Sequence, residues 1–151
     1  MAQKTWPPIM IIIWTRRLIN EYFYRHTRFP GGPQRHDRFH QPARNAWSEI
    51  IISGSALFTS NYVILETTAL LQHRFGIEAL RLFEGELLPV VETAWVDETI
   101  HKQGMSALLA ANRRDLSLVD CTSFEMMRHR GLDSVFTFDP LFNEQGFEVI
   151  P

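Results

Sequence analysis

The chain has 151 residues, 45% of them hydrophobic, and a formal net charge of −2. This is enough chain for one domain with a packed core, and the apolar content excludes an intrinsically disordered polymer. The small net charge hides an asymmetry. Residues 1–47 carry eight Lys or Arg against Glu21 and Asp37, a balance of +6, whereas residues 48–151 stand at −8. A basic arm on an acidic body suits nucleic acid, and equally an ordinary solvated surface. Cys121 is the only cysteine, so no internal disulfide is possible and a reducing, cytoplasmic setting is expected. The apolar run from Ile9 to Trp14 is too short to span a bilayer and lacks the long apolar core and cleavage site of a signal peptide.

In chain order, Ile9-Met10-Ile11-Ile12-Ile13 is a continuous apolar run after Pro7-Pro8, the pattern of a buried parallel strand. Residues 14–36 change character: Arg16, Arg17, Arg25, Arg28 and Arg35 are scattered among aromatics, and Pro30-Gly31-Gly32-Pro33 breaks any helix. From Asp37 to Ser53 helical spacing places Phe39, Ala43, Ala46, Trp47 and Ile50 on one side. Leu57-Phe58 is a short strand, Thr59 or Ser60 caps a helix over 61–75, and Gly76 stops it. Residues 77–88 read as a further helix and Val90 to Val96 as a strand. Asp97 caps a helix ending near Ala111, and Ser117-Leu118-Val119-Asp120 has the form of a capping box that opens a helix over 118–130. Val135 to Phe138 and Phe147 to Ile150 are the last strands. Strands alternating with helices imply an α/β sandwich around a mostly parallel sheet. No internal repeat or low-complexity tract interrupts this order.

Three carboxylates stand beside apolar runs: Glu66 after Tyr62-Val63-Ile64-Leu65, Asp120 after Leu118-Val119, and Asp139 after Val135-Phe136-Thr137-Phe138. A lone charge in such a context is costly unless compensated. A divalent cation would compensate all three, and hard cations such as Mg²⁺ favour oxygen ligands together with water and phosphate. Phosphoester hydrolysis is the chemistry this points to. Each acid also has a purely structural reading. Glu66 fits a surface glutamate on an amphipathic helix, Asp120 a capping-box acid, and Asp139 the cap of a short helix begun at Pro140. Asp115 reads as a surface acid beside Arg113 and Arg114 rather than a supporting ligand. His40, His101 and His129 have no zinc spacing, and Cys121 reads as a small buried hydrophobe. Arg113, Arg114, Arg128 and Arg130 flank the Asp120 helix, as phosphate contacts or as solvated helix ends.

Residues 37–151 resemble the PIN-domain nucleases, in particular the VapC-like toxin ribonucleases. The resemblance is carried by Asp37-x-x-His40-x-x-Ala43-x-x-x-Trp47, by Thr59-Ser60-Asn61-Tyr62-Val63-Ile64-Leu65-Glu66-Thr67, by Leu116-Ser117-Leu118-Val119-Asp120-Cys121, by Phe136-Thr137-Phe138-Asp139 and by Phe142-x-x-x-Gly146-Phe147. It implies a single PIN-like domain over 1–151 in the form of a three-layer sandwich. It also implies Glu66, Asp120 and Asp139 as metal-binding and catalytic acids, with Mg²⁺ or Mn²⁺ as cofactor. Single-stranded RNA would be the substrate, cut to leave a 5′-phosphate and a 3′-hydroxyl, with a small antitoxin protein as inhibitor and a homodimer as assembly.

The family's first acid, in an Asp-Thr-Ser context at the end of the first strand, has no counterpart here: Ile13 is followed by Trp14-Thr15-Arg16-Arg17. The genetic code offers a reason. The last base of the Trp14 codon and the first two of the Thr15 codon spell GAC, an Asp codon. Residues 14–36 are therefore read as translated out of frame, with a divergent insertion as the other explanation. The alternative to a nuclease is accordingly a catalytically impaired PIN-like binding module.

Overall fold

The computed structural model describes residues 9–11 and 40–150. Within them five strands form one sheet: β1 (Ile9–Ile11), β2 (Leu57–Ser60), β3 (Glu92–Ala94), β4 (Ser134–Phe136) and β5 (Glu148–Ile150), in the spatial order β3-β2-β1-β4-β5. Every neighbouring pair is parallel. Ile9 pairs with Leu57 on one side and Ser134 on the other, and Ile11 pairs with Phe136. The expected "mostly parallel" sheet is thus wholly parallel. Six helices accompany it: α1 (His40–Ser53), α2 (Asn61–Phe75), α3 (Ile77–Leu82), α4 (Glu98–Ala111), α5 (Leu118–Arg130) and α6 (Leu141–Glu144). Of the expected strand over 9–13 the described residues show Ile9–Ile11, and of the expected helix from Asp37 they show His40–Ser53. Residues 12–39, with Trp14 and the atypical segment 14–36, lie outside the described residues.

Burial on both sheet faces explains the apolar runs. Val135 and Phe136 are consecutive in β4 and enter different cores, as side chains of period two must. One core joins Phe136, Leu57, Val91 and Ile150 to Ile50 of α1. The other joins Val135 and Ala94 to Ile100, Phe124, Met127, Leu141 and Phe142. Helices thus cover both faces, which gives the three layers. A third, smaller cluster holds α2 and α3 together through Leu71, Ala79, Phe83 and Leu87.

The helix ends follow local chemistry. Ser60 Oγ accepts a hydrogen bond from the Val63 amide (3.1 Å), Asp97 Oδ1 from Ile100 (2.9 Å) and Ser117 Oγ from Asp120 (3.1 Å), each relieving one of the unpaired donors of a helix start. Asn112 and Gly131 close α4 and α5 in the left-handed conformation. Two elements differ from expectation. The helix foreseen over 77–88 keeps α-helical form only to Leu82, then widens into a π turn at Phe83–Leu87 and tightens into a 3₁₀ turn at Leu88–Val90. Gly85 weakens the helix there and Pro89 cannot supply the amide that continuation requires. The strand foreseen over 90–96 shrinks to β3, because Val90 belongs to that turn and the Val96 amide donates to the Asn61 side chain (2.7 Å) instead of to a strand. Among the described residues no helix is long and apolar enough to cross a membrane.

Helices α4 and α5 meet at Gly104. A Cβ on Gly104 would stand 2.6 Å from Thr122 Cγ2, 3.1 Å from its amide nitrogen and 3.2 Å from its Cα. Two of these contacts are backbone, so a rotamer change cannot relieve them. Gly104→Ala should lower stability by about 1–3 kcal/mol, a drop of several degrees in a thermal melt. Adding Thr122→Ser should recover part of the loss. Gly85→Ala, which meets nothing within 4 Å, is the control and should be near neutral.

Candidate active site

The sheet order places the chain's change of direction between β1 and β4: the path runs outward through β2 and β3, then resumes on the other side with β4 and β5. In open parallel sheets this is where loops part and a crevice forms beyond the carboxyl ends of the strands. The three acids reach that edge by three routes. Glu66 lies in the second turn of α2, which starts directly at the end of β2. Asp120 is the third residue of α5. Asp139 comes three residues after β4.

Asp120 is held by its own helix start. Its Oδ2 accepts hydrogen bonds from the Ser117 amide (2.8 Å) and the Ser117 hydroxyl (2.7 Å), completing the reciprocal capping box. Among the described residues Oδ1 takes no hydrogen bond. Asp139 shows the same division. Its Oδ1 accepts from the Leu141 amide (2.9 Å), its amide donates to Thr137 Oγ1 (3.1 Å), and among the described residues Oδ2 takes none. The structural roles foreseen for both acids are therefore real, and each leaves one oxygen over. Glu66 makes no ion pair with any described residue. Its side chain is exposed.

Electrostatics link the three. Burial pushes the Glu66 carboxyl above its ordinary range, and the charge of Asp120 adds to the rise. Burial likewise raises Asp120; the bonds from Ser117 oppose this, and the charges of Asp139 and Asp115 reinforce it. The charge of Asp120 thus acts on Glu66, and those of Asp139 and Asp115 act on Asp120. No described cation offsets Glu66, Asp120 or Asp139. Among the described residues no group of three or more His, Cys, Asp or Glu side chains is placed to hold a metal ion. All three acids offer oxygen only, the donor type a hard divalent cation takes.

Neighbouring candidates separate from this group. Asp115 is bound by the Arg113 guanidinium at 2.7 and 3.1 Å, which holds its carboxyl below the usual range, so it belongs to a surface ion pair. Arg113 also binds Glu144 (2.7 Å), Arg128 binds Glu125 (2.8 Å) and Gln145, and Arg130 reaches Glu92 and lies over the Phe58 ring. Of the four arginines that flank α5, only Arg114 has no carboxylate partner among the described residues. Cys121 is buried and its thiol is pushed up by that burial, which makes it inert. The pairing of Tyr62 Oη with His101 Nδ1 (2.7 Å) was not legible in sequence, since the two lie 39 positions apart with no shared motif.

The profile of the PIN-domain family matches residues 33–148, which includes all three acids. The chain belongs to the PIN-domain family, on its VapC-like branch. This PIN-domain chain is 33% identical over 117 residues to the protein named 23S rRNA-specific endonuclease VapC20 in two strains of Mycobacterium tuberculosis, CDC 1551 and H37Rv, a match that covers 76% of this chain and 87% of each relative. The crystal structure of Mycobacterium tuberculosis VapC20, described as a sarcin-ricin loop cleaving toxin, superposes with a TM-score of 0.65, covering 77% of this chain and 88% of that one. The PIN-type three-layer sandwich expected from the motifs is the fold observed.

The raised carboxyls have a consequence for stability. A folded chain with raised Glu66 and Asp120 binds protons more tightly than the unfolded one in the window between ordinary and raised values. Stability of the metal-free chain therefore falls as pH rises through that window. Glu66→Gln removes part of the decline. At about pH 7 the variant should melt higher than the parent, and the two melts should converge below about pH 4. A variant that melts lower at neutral pH would show that the Glu66 charge is favourably placed.

Proposed function

We propose that the chain is a metal-dependent endoribonuclease of the toxin–antitoxin type, acting on an unpaired segment of RNA in the cytoplasm as one PIN unit over residues 1–151. The observation that carries this reading is Asp120: a carboxylate with one oxygen fixed by Ser117 and the other unclaimed, electrostatically coupled to Glu66 and Asp139 with no described cation among them. Membership of the family and the likeness to an endonuclease toxin support it. By that likeness a loop of ribosomal RNA is the first substrate to try. A small antitoxin protein that covers the acids, and a homodimer, belong to the same proposal.

Mg²⁺ or Mn²⁺ held by Glu66, Asp120 and Asp139 would activate water and stabilise charge on the phosphate. The chain's own contribution is to hold the ligand oxygens in place. Ser117 fixes the Asp120 carboxylate from one side, so its free oxygen cannot rotate away. The Asx turn onto Leu141 does the same for Asp139. In-line attack on phosphorus, with the 3′ oxygen leaving, yields a 5′-phosphate and a 3′-hydroxyl.

The test is cleavage of end-labelled single-stranded RNA and of a ribosomal RNA loop, in Mn²⁺ or Mg²⁺ and in EDTA. Cleavage should require metal, and Asp120→Asn and Asp139→Asn should each lose more than the ~10–100-fold that removal of an outer-shell partner costs. Equal cleavage by parent and variants would mean a contaminant.

One observation favours a second reading. No acid follows Ile13, and a site with less negative charge binds Mg²⁺ more weakly. On this reading the chain is an impaired PIN-like binding module. Trp14→Asp distinguishes the two. If the acid is simply missing, the variant should gain metal-dependent cleavage over the parent. The nucleotide sequence supplies an independent check: an Asp-Thr-Ser reading in the shifted frame is expected over the codons that follow Ile13.

A further inference from the structure

We propose that Trp95 is a stacking platform for an unpaired base of the RNA that the acids cut, an inference that rests on the nuclease reading above. Trp95 is 74% exposed, and no other Phe, Trp or Tyr whose side chain is described stands so open. Exposure of an indole is costly, and here it does not arise from a loose loop. Ala94 before it is fully buried and Val96 after it packs on the core. The Val96 amide is bonded to Asn61 Oδ1 at 2.7 Å, and Asp97 caps α4. The ring is therefore held outward by a corner pinned on both sides. Stacking surfaces work in this way, because a preorganised ring loses little entropy when a base covers it.

The corner belongs to the neighbourhood of the acids. Asn61 opens α2, and Glu66 lies in the next turn of the same helix. Tyr62 and Glu66 are four positions apart, so both project from one face. Tyr62 in turn is hydrogen-bonded to His101, with the rings edge to face at 6.0 Å and 71°. Trp95 thus precedes a residue bonded to the first residue of α2, and the Tyr62–His101 pair joins that helix to α4.

Charge explains why a base, not the backbone, is the group to hold here. Residues 48–151 carry a balance of −8, and the acids of the site repel phosphate. Most cations of this body are already engaged: Arg81 with Glu78, Lys102 with Glu98, Arg113 with Asp115 and Glu144, Arg128 with Glu125, and Arg130 with Glu92. Stacking on an aromatic face needs no cation and tolerates any base.

Binding is measured with the Asp120→Asn chain in EDTA, so that the probe survives, using a short oligo(U) and an abasic oligomer with the same phosphates. Trp95→Leu keeps apolar bulk without an aromatic face, and Trp95→Phe keeps a face. Trp95→Leu should weaken oligo(U) binding about tenfold and Trp95→Phe no more than about threefold, with abasic binding unchanged. Independently of any substitution at 95, an oligomer carrying 5-iodouridine should crosslink to Trp95 under ultraviolet light. Unchanged oligo(U) affinity in Trp95→Leu, equal losses on both oligomers, or crosslinks only at other residues would overturn the proposal. A change of oligomeric state on Trp95→Leu with RNA binding intact would also overturn it, because the ring would then face a second copy. These failures leave metal-dependent cleavage by the parent standing. A chain that neither binds nor cuts RNA overturns both readings.

Discussion

Asp120 has two carboxylate oxygens, and the start of α5 uses only one of them. The capping box with Ser117 satisfies two donors at the helix end through Oδ2 and fixes the orientation of the whole group. Everything proposed for the site depends on the oxygen that remains. It lies on the acid whose charge acts on Glu66 and on which the charge of Asp139 acts. An interaction that stabilises the fold therefore also fixes the orientation of this carboxylate. The capping role that the local sequence poses for Asp120 is thus observed, and it leaves Oδ1 without a hydrogen bond among the described residues.

The arrangement works against stability elsewhere. Burial and like-charge repulsion raise Glu66 and Asp120, so the metal-free chain carries strain in its electrostatics that no described cation relieves. Arg113 does not provide that relief, being committed to Asp115 and Glu144 on the surface. The close approach of α4 and α5 is set at Gly104, where a Cβ would clash with Thr122 of the helix that Asp120 opens.

Much of the fold was legible residue by residue. Thr59 or Ser60, Asp97 and Ser117 announced three helix starts, and Gly76 a helix end, because capping is a matter of neighbours in sequence. Apolar runs of both-face burial announced the parallel strands. The misjudged stretch, 77–96, shows where local reading weakens. Helical periodicity continued past Leu82, but Gly85 and Pro89 broke the hydrogen-bond ladder in two different ways, and β3 was shortened when Asn61 took the Val96 amide from 35 positions away.

For the site, sequence alone determined which acids stand in apolar surroundings, which helix start would restrain Asp120, and that no carboxylate follows Ile13. Those properties reside in a residue and its near neighbours. Only the tertiary structure decided that the charge of Asp120 acts on Glu66 and that of Asp139 on Asp120, that Arg113 also reaches Glu144 and Arg130 reaches Glu92, and that Tyr62 meets His101. These facts require segments tens of residues apart to meet at one sheet edge, and nothing in a linear pattern encodes the distance between two side chains that the fold brings together.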